Sequence, residues 1–291
     1  MTRPAPPEDP LREALLFQQT TLGGSVRVSG VGIHTGAKAQ VTLHPADPHT
    51  GIVFHAGGAT FPASAACVVS ARRCTSLGTA EVRVDTVEHL LSALRGLRVD
   101  NARIEVEGPE LPILDGSALP WVEAIQSVGI VPQEAQGRPL TISQTVALRE
   151  GDTWLVAAPS DRFTLTCVTD FDHPLLGRQA DTFEDDPACY AAGIAPARTF
   201  GFIGEVQALL DSGLAQGGTL ENALIIYADR FSQPLRVPDE CLRHKALDLW
   251  GDLSLAGSRL CAAVTAIRPG HRANVAFASL LRREAQRVNE E

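Results

Sequence analysis

No stretch of this sequence approaches the roughly 20 apolar residues that a membrane-crossing helix needs. The six cysteines (67, 74, 167, 189, 241 and 261) form no C-x-x-C pair, which argues against a structural zinc knuckle and against a disulfide scaffold. They are expected to be small buried hydrophobes in a reducing cytoplasm. A secretory leader is not expected either: Pro4 to Pro10 is proline-rich and acidic, and Ala14-Leu15-Leu16-Phe17 is too short for a leader's apolar core. Positive charge is in deficit, with 25 Lys and Arg against 34 Asp and Glu and a net charge of -9. That balance argues against binding to nucleic acid or anionic membranes driven by counterion release, although a local basic patch could still hold an anionic substrate. There is no phosphate-cradling glycine-rich lysine loop, no dinucleotide fingerprint and no serine nucleophile elbow. Cofactor-borne chemistry and an acyl-enzyme route therefore lack support. The expectation is a cytoplasmic protein with no nucleic-acid partner and no integral membrane association, working as a monomer.

What is present is the composition of a globular protein, 44% hydrophobic and 20% charged, and 291 residues suit two cores of ordinary size. From Thr20 the pattern is strand-like. Val26, Val28, Val31 and Ile33 lead through His34-Thr35-Gly36 to Ala39, Val41 and Leu43, which predicts a hairpin. Val82 to Asp85 reads as a strand, followed by a helix with Thr86 as N-cap that runs through Leu90, Leu91 and Leu94 to Gly96. Ala102 to Val106 alternates as a strand, and Pro120 to Ser127 reads as a short helix with proline at its start. Pro132 to Arg138 is polar and aperiodic and marks a domain boundary. Beyond it the pattern predicts strands over 140–148, 154–158 and 163–169, then an acidic, turn-rich excursion from Phe171 to about Ala195. A helix over 204–212, a strand over 223–227, a long helix over 238–255, a strand over 260–267 and a charged C-terminal helix complete the chain. The resulting division is an extension over 1–18, a first domain over 19–132 and a second over 139–291. Each half carries a helix with a histidine near its start, and the interval from His89 to Gly96 equals that from His244 to Gly251. This fits a duplicated α+β unit.

Two segments carry the chemistry. Arg243-His244-Lys245-Ala246-Leu247-Asp248 sets an imidazole and a carboxylate four residues apart, one helical turn on one face. Leu242, Ala246, Leu249 and Leu253 form the apolar stripe of that helix, with His244, Asp248 and Asp252 on the other side. On spacing alone this is equally an ordinary surface pair. Thr86-Val87-Glu88-His89 adds a second imidazole with a carboxylate beside it. Two histidines, one aspartate and no thiolate make the donor set of a catalytic zinc site with one position open to water, and the spare glutamate is the base that such a water needs. Together they suggest a metal-dependent hydrolase. His271, after Pro269-Gly270, is either a proton donor beside the site or a loop histidine, and His34 and Asp115 are equally open. His44, His49, His55 and His173 have no partner in sequence and read as structural. Ala197-Arg198-Thr199-Phe200-Gly201-Phe202 combines a cation, a hydroxyl and two aromatics, which suits a nucleotide or sugar or, equally, a turn lining the core.

Six ordered motifs resemble the UDP-3-O-acyl-N-acetylglucosamine deacetylase family. They are Gly30-Val31-Gly32-Ile33-His34-Thr35-Gly36, Thr86 to Leu94, Pro112-Ile113-Leu114-Asp115-Gly116-Ser117, Ala197 to Phe202, Gly217-Gly218-Thr219-Leu220-Glu221-Asn222-Ala223 and Arg243 to Leu249. The resemblance runs from about Thr20 to the C-terminal helix. It implies an α+β fold of two similar domains, each a small, mostly antiparallel sheet with helices on one face, packed as a sandwich with the active site between them. It also implies an inserted subdomain near residues 171–200 that forms an acyl-chain passage. One zinc per chain would be held by His89, His244 and Asp248. Glu88 would be the general base, His271 the general acid oriented by Asp252, and Thr199 a hydrogen-bond partner of the developing alkoxide. Phe200, Lys245 and His34 would contact the UDP-sugar. The implied reaction is zinc-dependent hydrolysis of the N-acetyl group of UDP-3-O-acyl-N-acetylglucosamine, in lipid A biosynthesis. An amidase for another acetylated nucleotide-sugar, or a metal-binding homologue without catalysis, would share the same residues. Pro269, Ala192-Gly193 and the acidic stretch from Asp181 to Asp186 depart from the family pattern, the last where a more regular strand is usual. They are expected to affect the fit of the acyl chain rather than the chemistry.

Overall fold

The computed structural model describes residues 16–290, so most of the expected N-terminal extension lies outside the described residues. The first half runs β1 (Phe17–Leu22), β2 (Val26–Val31), β3 (Lys38–Pro45), β4 (Ile52–Ala56), β5 (Ala59–Pro62), β6 (Val68–Ser70), β7 (Ser76–Gly78), β8 (Arg83–Val84), α1 (Glu88–Gly96), β9 (Ala102–Glu107), α2 (Leu119–Val128) and β10 (Ile130–Gly137). The second runs β11 (Leu140–Thr141), β12 (Val146–Glu150), β13 (Thr153–Pro159), β14 (Thr164–Asp170), β15 (Arg178–Glu184), α3 (Pro187–Gly193), β16 (Phe200–Phe202), α4 (Ile203–Asp211), β17 (Leu224–Ile226), α5 (Glu240–Ser254), β18 (Leu260–Ile267) and α6 (His271–Glu290).

The two main sheets repeat one topology. The first has the order β2-β3-β9-β4-β5 and the second β12-β13-β18-β14-β15. Along both of these paths only the pairing of the central strand with the fourth is parallel, and the short β11 adds a second parallel pairing to β18 in the second sheet. In both, a histidine-bearing helix precedes the central strand, α1 before β9 and α5 before β18. Each half also inserts a minor sheet ahead of that helix, β6-β7-β8 in the first and β16-β17 in the second. The echo heard in one histidine-to-glycine interval is thus a repeated α+β unit.

Alternation along the strands aims Val41, Leu43, Phe54 and Ile104 of one sheet, and Leu155, Leu165 and Val264 of the other, into a continuous core filled by Leu90, Leu91 and Leu94 of α1 and by Leu242, Leu249 and Leu253 of α5. Each such fully buried side chain contributes ~1.5–3 kcal/mol of transfer free energy. Helices α1 and α5 touch most closely at Gly251, where a Cβ would stand 2.2 Å from the Glu88 carbonyl oxygen. Its counterpart Gly96 makes room instead for the Tyr190 ring, 2.3 Å from its notional Cβ. The matched glycines are both points of close approach.

Several sequence expectations need correction. Thr86 does not cap α1: its φ is +58° and its hydroxyl donates to Glu110 at 2.8 Å, leaving Val87 at the cap position. The polar stretch from Pro132 lies in strand β10, paired with β1 in a two-stranded ribbon where a proline's missing N–H is tolerated. Residues 178–184 are a regular strand paired with β14 along their whole length, and Asp186 caps α3 by accepting from the Cys189 amide at 2.8 Å. Their inner face carries Asp181, bonded to Arg243 at 2.9 Å, which hid the alternation. Of the cysteines expected to be buried, Cys74, Cys167 and Cys241 are, but Cys67 and Cys261 are half-buried and Cys189 is exposed; none is in a disulfide. No helix among the described residues is long and apolar enough to cross a membrane.

Candidate active site

The first turn of α1 crosses α5 between His244 and Asp252, and Glu88, His89, His244, Asp248 and Asp252 are buried there, with exposures of 3%, 4%, 3%, 3% and 0%. The face of α5 that could have met solvent instead faces α1 and α6. His89 and His244 lie with ring centroids 5.2 Å apart, and their Nε2 atoms stand 3.9 Å and 3.4 Å from Asp248 Oδ1. His244 Nδ1 donates to the Ala197 carbonyl at 3.0 Å, which leaves its Nε2 as the lone-pair nitrogen. Burial lowers the pKa of His89 to about 3, assisted by His244, and lowers His244 as well, so both rings are neutral. Asp248 is held ionised: burial works to raise it, but the Lys245 ammonium beside it brings it well below the ordinary range.

These atoms fit a cation. Asp248 Oδ1 is buried without a hydrogen-bond partner, the His244 Nε2 lone pair stands 3.4 Å from it, and His89, whose Nδ1 is also buried without a partner, brings Nε2 to 3.9 Å. With His89 in the tautomer that leaves its lone pair on Nε2, three acceptors share one space, an arrangement that a positive charge satisfies. The donor types, two nitrogens and one carboxylate oxygen, suit a transition-series dication such as zinc.

Beside this set stand Glu88 and His271. Burial pushes Glu88 up to about 8. Burial works to lower His271, but the Asp252 and Asp248 carboxylates overcome it and raise it to about 9. His271 Nδ1 donates to Asp252 Oδ2 at 2.9 Å, turning Nε2 toward Glu88 Oε1 at 3.8 Å. His271 itself begins α6, so its position is fixed by a helix rather than a loose turn.

The other expected residues reach the same cavity, a space of ≈ 950 Å³ walled by both minor-sheet regions. Thr199 lines it, held by its amide to the Gly116 carbonyl at 2.7 Å. Phe200 stands edge-on to His244 with centroids 6.0 Å apart, and Lys245 lies 5.6 Å from the Phe200 ring while donating to Asp248 Oδ2 at 2.8 Å. His34 is on the wall, its turn gripped by the buried Glu110 carboxylate, which accepts from the His34 amide at 3.0 Å and the Thr35 amide at 2.8 Å. The glycine-rich loop closes over that turn, Gly217 donating to the Ile33 carbonyl at 3.0 Å. Asp115 faces elsewhere, bonding Ser117 and Arg236. His44, His49, His55 and His173 make local structural hydrogen bonds, as expected.

Arg198 does not face the cavity. Its guanidinium is 3% exposed and forks onto the fully buried Glu240 at 2.7 and 3.0 Å. The cation of that motif is a structural strut tying the Thr199 segment to the start of α5. Glu240→Ala would leave a buried guanidinium unpaired, with an expected loss of about 3–5 kcal/mol in denaturant unfolding; a loss below about 1 kcal/mol would contradict this role. Sequence reasoning also missed Thr75, Glu110 and Asn274, which bind the site's carboxylates or its wall. Of these only Asn274 had a visible signal, one helical turn beyond His271.

Buried imidazoles and a carboxylate around a cation-sized space, with a carboxylate and an imidazolium alongside, are what a metal-dependent hydrolase requires. Comparison with known proteins narrows the class. The family model for LpxC, UDP-3-O-acyl N-acetylglycosamine deacetylase, matches residues 19–283, and the chain belongs to that family. A UDP-3-O-acyl-N-acetylglucosamine deacetylase of Myxococcus xanthus is 42% identical over 264 residues, covering 89% of this chain and 84% of that protein. One of Brucella melitensis is 43% identical over 263 residues, covering 88% of this chain and 92% of that protein.

Proposed function

We propose that this chain is a zinc-dependent amidohydrolase that removes the acetyl group from UDP-3-O-acyl-N-acetylglucosamine, releasing acetate and UDP-3-O-acyl-glucosamine in lipid A biosynthesis. The observation that carries this reading is the convergence of His89, His244 and Asp248 around an unsatisfied Asp248 oxygen, in a chain of this family. His89, His244 and Asp248 would hold one zinc, which when bound lowers the pKa of a water ligand and polarises the amide carbonyl.

The chain's own groups have the following roles in this reading. Glu88 accepts a proton from the attacking water through Oε1. His271, protonated and held by Asp252, gives a proton to the departing amine nitrogen and balances charge on the developing oxyanion. The Thr199 hydroxyl hydrogen-bonds that oxygen. Lys245, Phe200 and His34 contact the nucleotide-sugar. The acyl chain follows the apolar wall made by Phe202, Ile203, Val206, Leu209 and Leu210. The protein works as a cytoplasmic monomer, consistent with free thiols and a site whose proposed groups all come from one chain.

The test is release of acetate from the acylated UDP-sugar, abolished by chelation and restored by zinc. The purified protein is expected to hold about one zinc per chain. His244→Ala is expected to lose it, and substitution of any cysteine is expected to leave it. Full metal content in His244→Ala would sink the ligand assignment.

A further inference from the structure

The loop between β6 and β7 carries a threonine that touches both sides of the candidate site. Thr75 is fully buried. Its amide donates to Glu88 Oε2 at 3.0 Å, and its hydroxyl donates to Asp252 Oδ1 at 2.6 Å. The Thr75 hydroxyl oxygen itself also lies 3.4 Å from His271 Nδ1. The second Asp252 oxygen takes His271 Nδ1 and the Asn274 side-chain amide, each at 2.9 Å. A carboxylate only accepts, so the hydroxyl proton is committed to Asp252. The amide occupies one oxygen of Glu88 and leaves Oε1 to face the cavity. Thr75 thereby ties together groups from α1, α5 and α6, elements of both halves.

We propose that Thr75 is a positioning residue: its hydroxyl fixes Asp252, and through it the His271 ring, in register with the Glu88 carboxylate held by its amide. This rests on the deacetylase reading above. It is tested by measuring kcat, KM and metal content of the zinc-loaded wild type, Thr75→Val and Thr75→Ser with UDP-3-O-acyl-N-acetylglucosamine. Valine keeps the shape and the amide but removes the hydroxyl. It is expected to lower kcat about 10- to 100-fold, the usual scale for partners of catalytic groups, with metal content and KM near wild type. Serine, which keeps the hydroxyl, is expected to restore kcat. If the valine variant does not fold, Thr75→Ala carries the same expectation. Wild-type kcat in the hydroxyl-free variant overturns the proposal. So does a serine variant as impaired as valine, which would make the methyl's packing the operative feature. A wild type that releases no acetate would overturn the deacetylase reading instead, before any variant is compared.

Discussion

Glu88→Gln is expected to keep its metal and lose on the order of 10² or more in kcat, the usual scale for a general base. The amide is nearly isosteric and can still meet the Thr75 amide, so geometry survives while proton acceptance does not. The pH profile of kcat/KM separates the roles. The base must be ionised, so activity is lost as pH falls through the Glu88 pKa. Burial sets that at about 8, and a dication beside it draws it lower. The acid must be protonated, so activity is lost as pH rises through the His271 pKa, which, against burial, the Asp252 and Asp248 carboxylates raise to about 9 without metal and a dication draws lower. The result is a bell, with His271→Ala flattening the alkaline limb. Near-normal turnover in Glu88→Gln would transfer the role of base to His271.

UDP-N-acetylglucosamine lacking the 3-O-acyl chain is expected to be turned over far less efficiently than the acylated substrate. A dozen methylenes at ~0.8 kcal/mol each supply about 10 kcal/mol if fully buried. The wall they would meet is only partly enclosed, since no residue of α4 is buried. Even a third of that total, about 3 kcal/mol, is more than a hundredfold in kcat/KM. The measurement is kcat/KM across a series of chain lengths, which should rise and then level where the apolar wall ends. A flat response would replace the assignment with an amidase for an unacylated nucleotide-sugar.

The residues that the fold gathers at the candidate site were legible because they sit in short local patterns. His244 and Asp248 share a helical face, Glu88 and His89 are adjacent, and the apolar stripes on both helices are regular. The repeated unit was only faintly legible, through one interval, because its strand orders match while its side chains do not. Strands β4 to β7 were unread because they are short and mix small polar residues with apolar ones. β15 was misread because its inward Asp181 is neutralised by Arg243, a partner 62 residues away. Thr75 had no signal at all, being one hydroxyl in a loop whose importance comes from two carboxylates brought to it by the fold.

The bare backbone of Gly251 against Glu88 makes the crossing of two helices into a gauge for the reaction. The proposed metal ligands on α5 and the Glu88 carboxylate on α1 belong to different copies of the repeated unit, and nothing covalent nearby sets their separation. That separation is fixed by how closely the two backbones can approach, and one methyl group is wider than the gap. Mutational tolerance should therefore be uneven along the crossing: a volume change a few turns away costs stability, while the same change here moves the proposed base Glu88 relative to the proposed ligands His244 and Asp248.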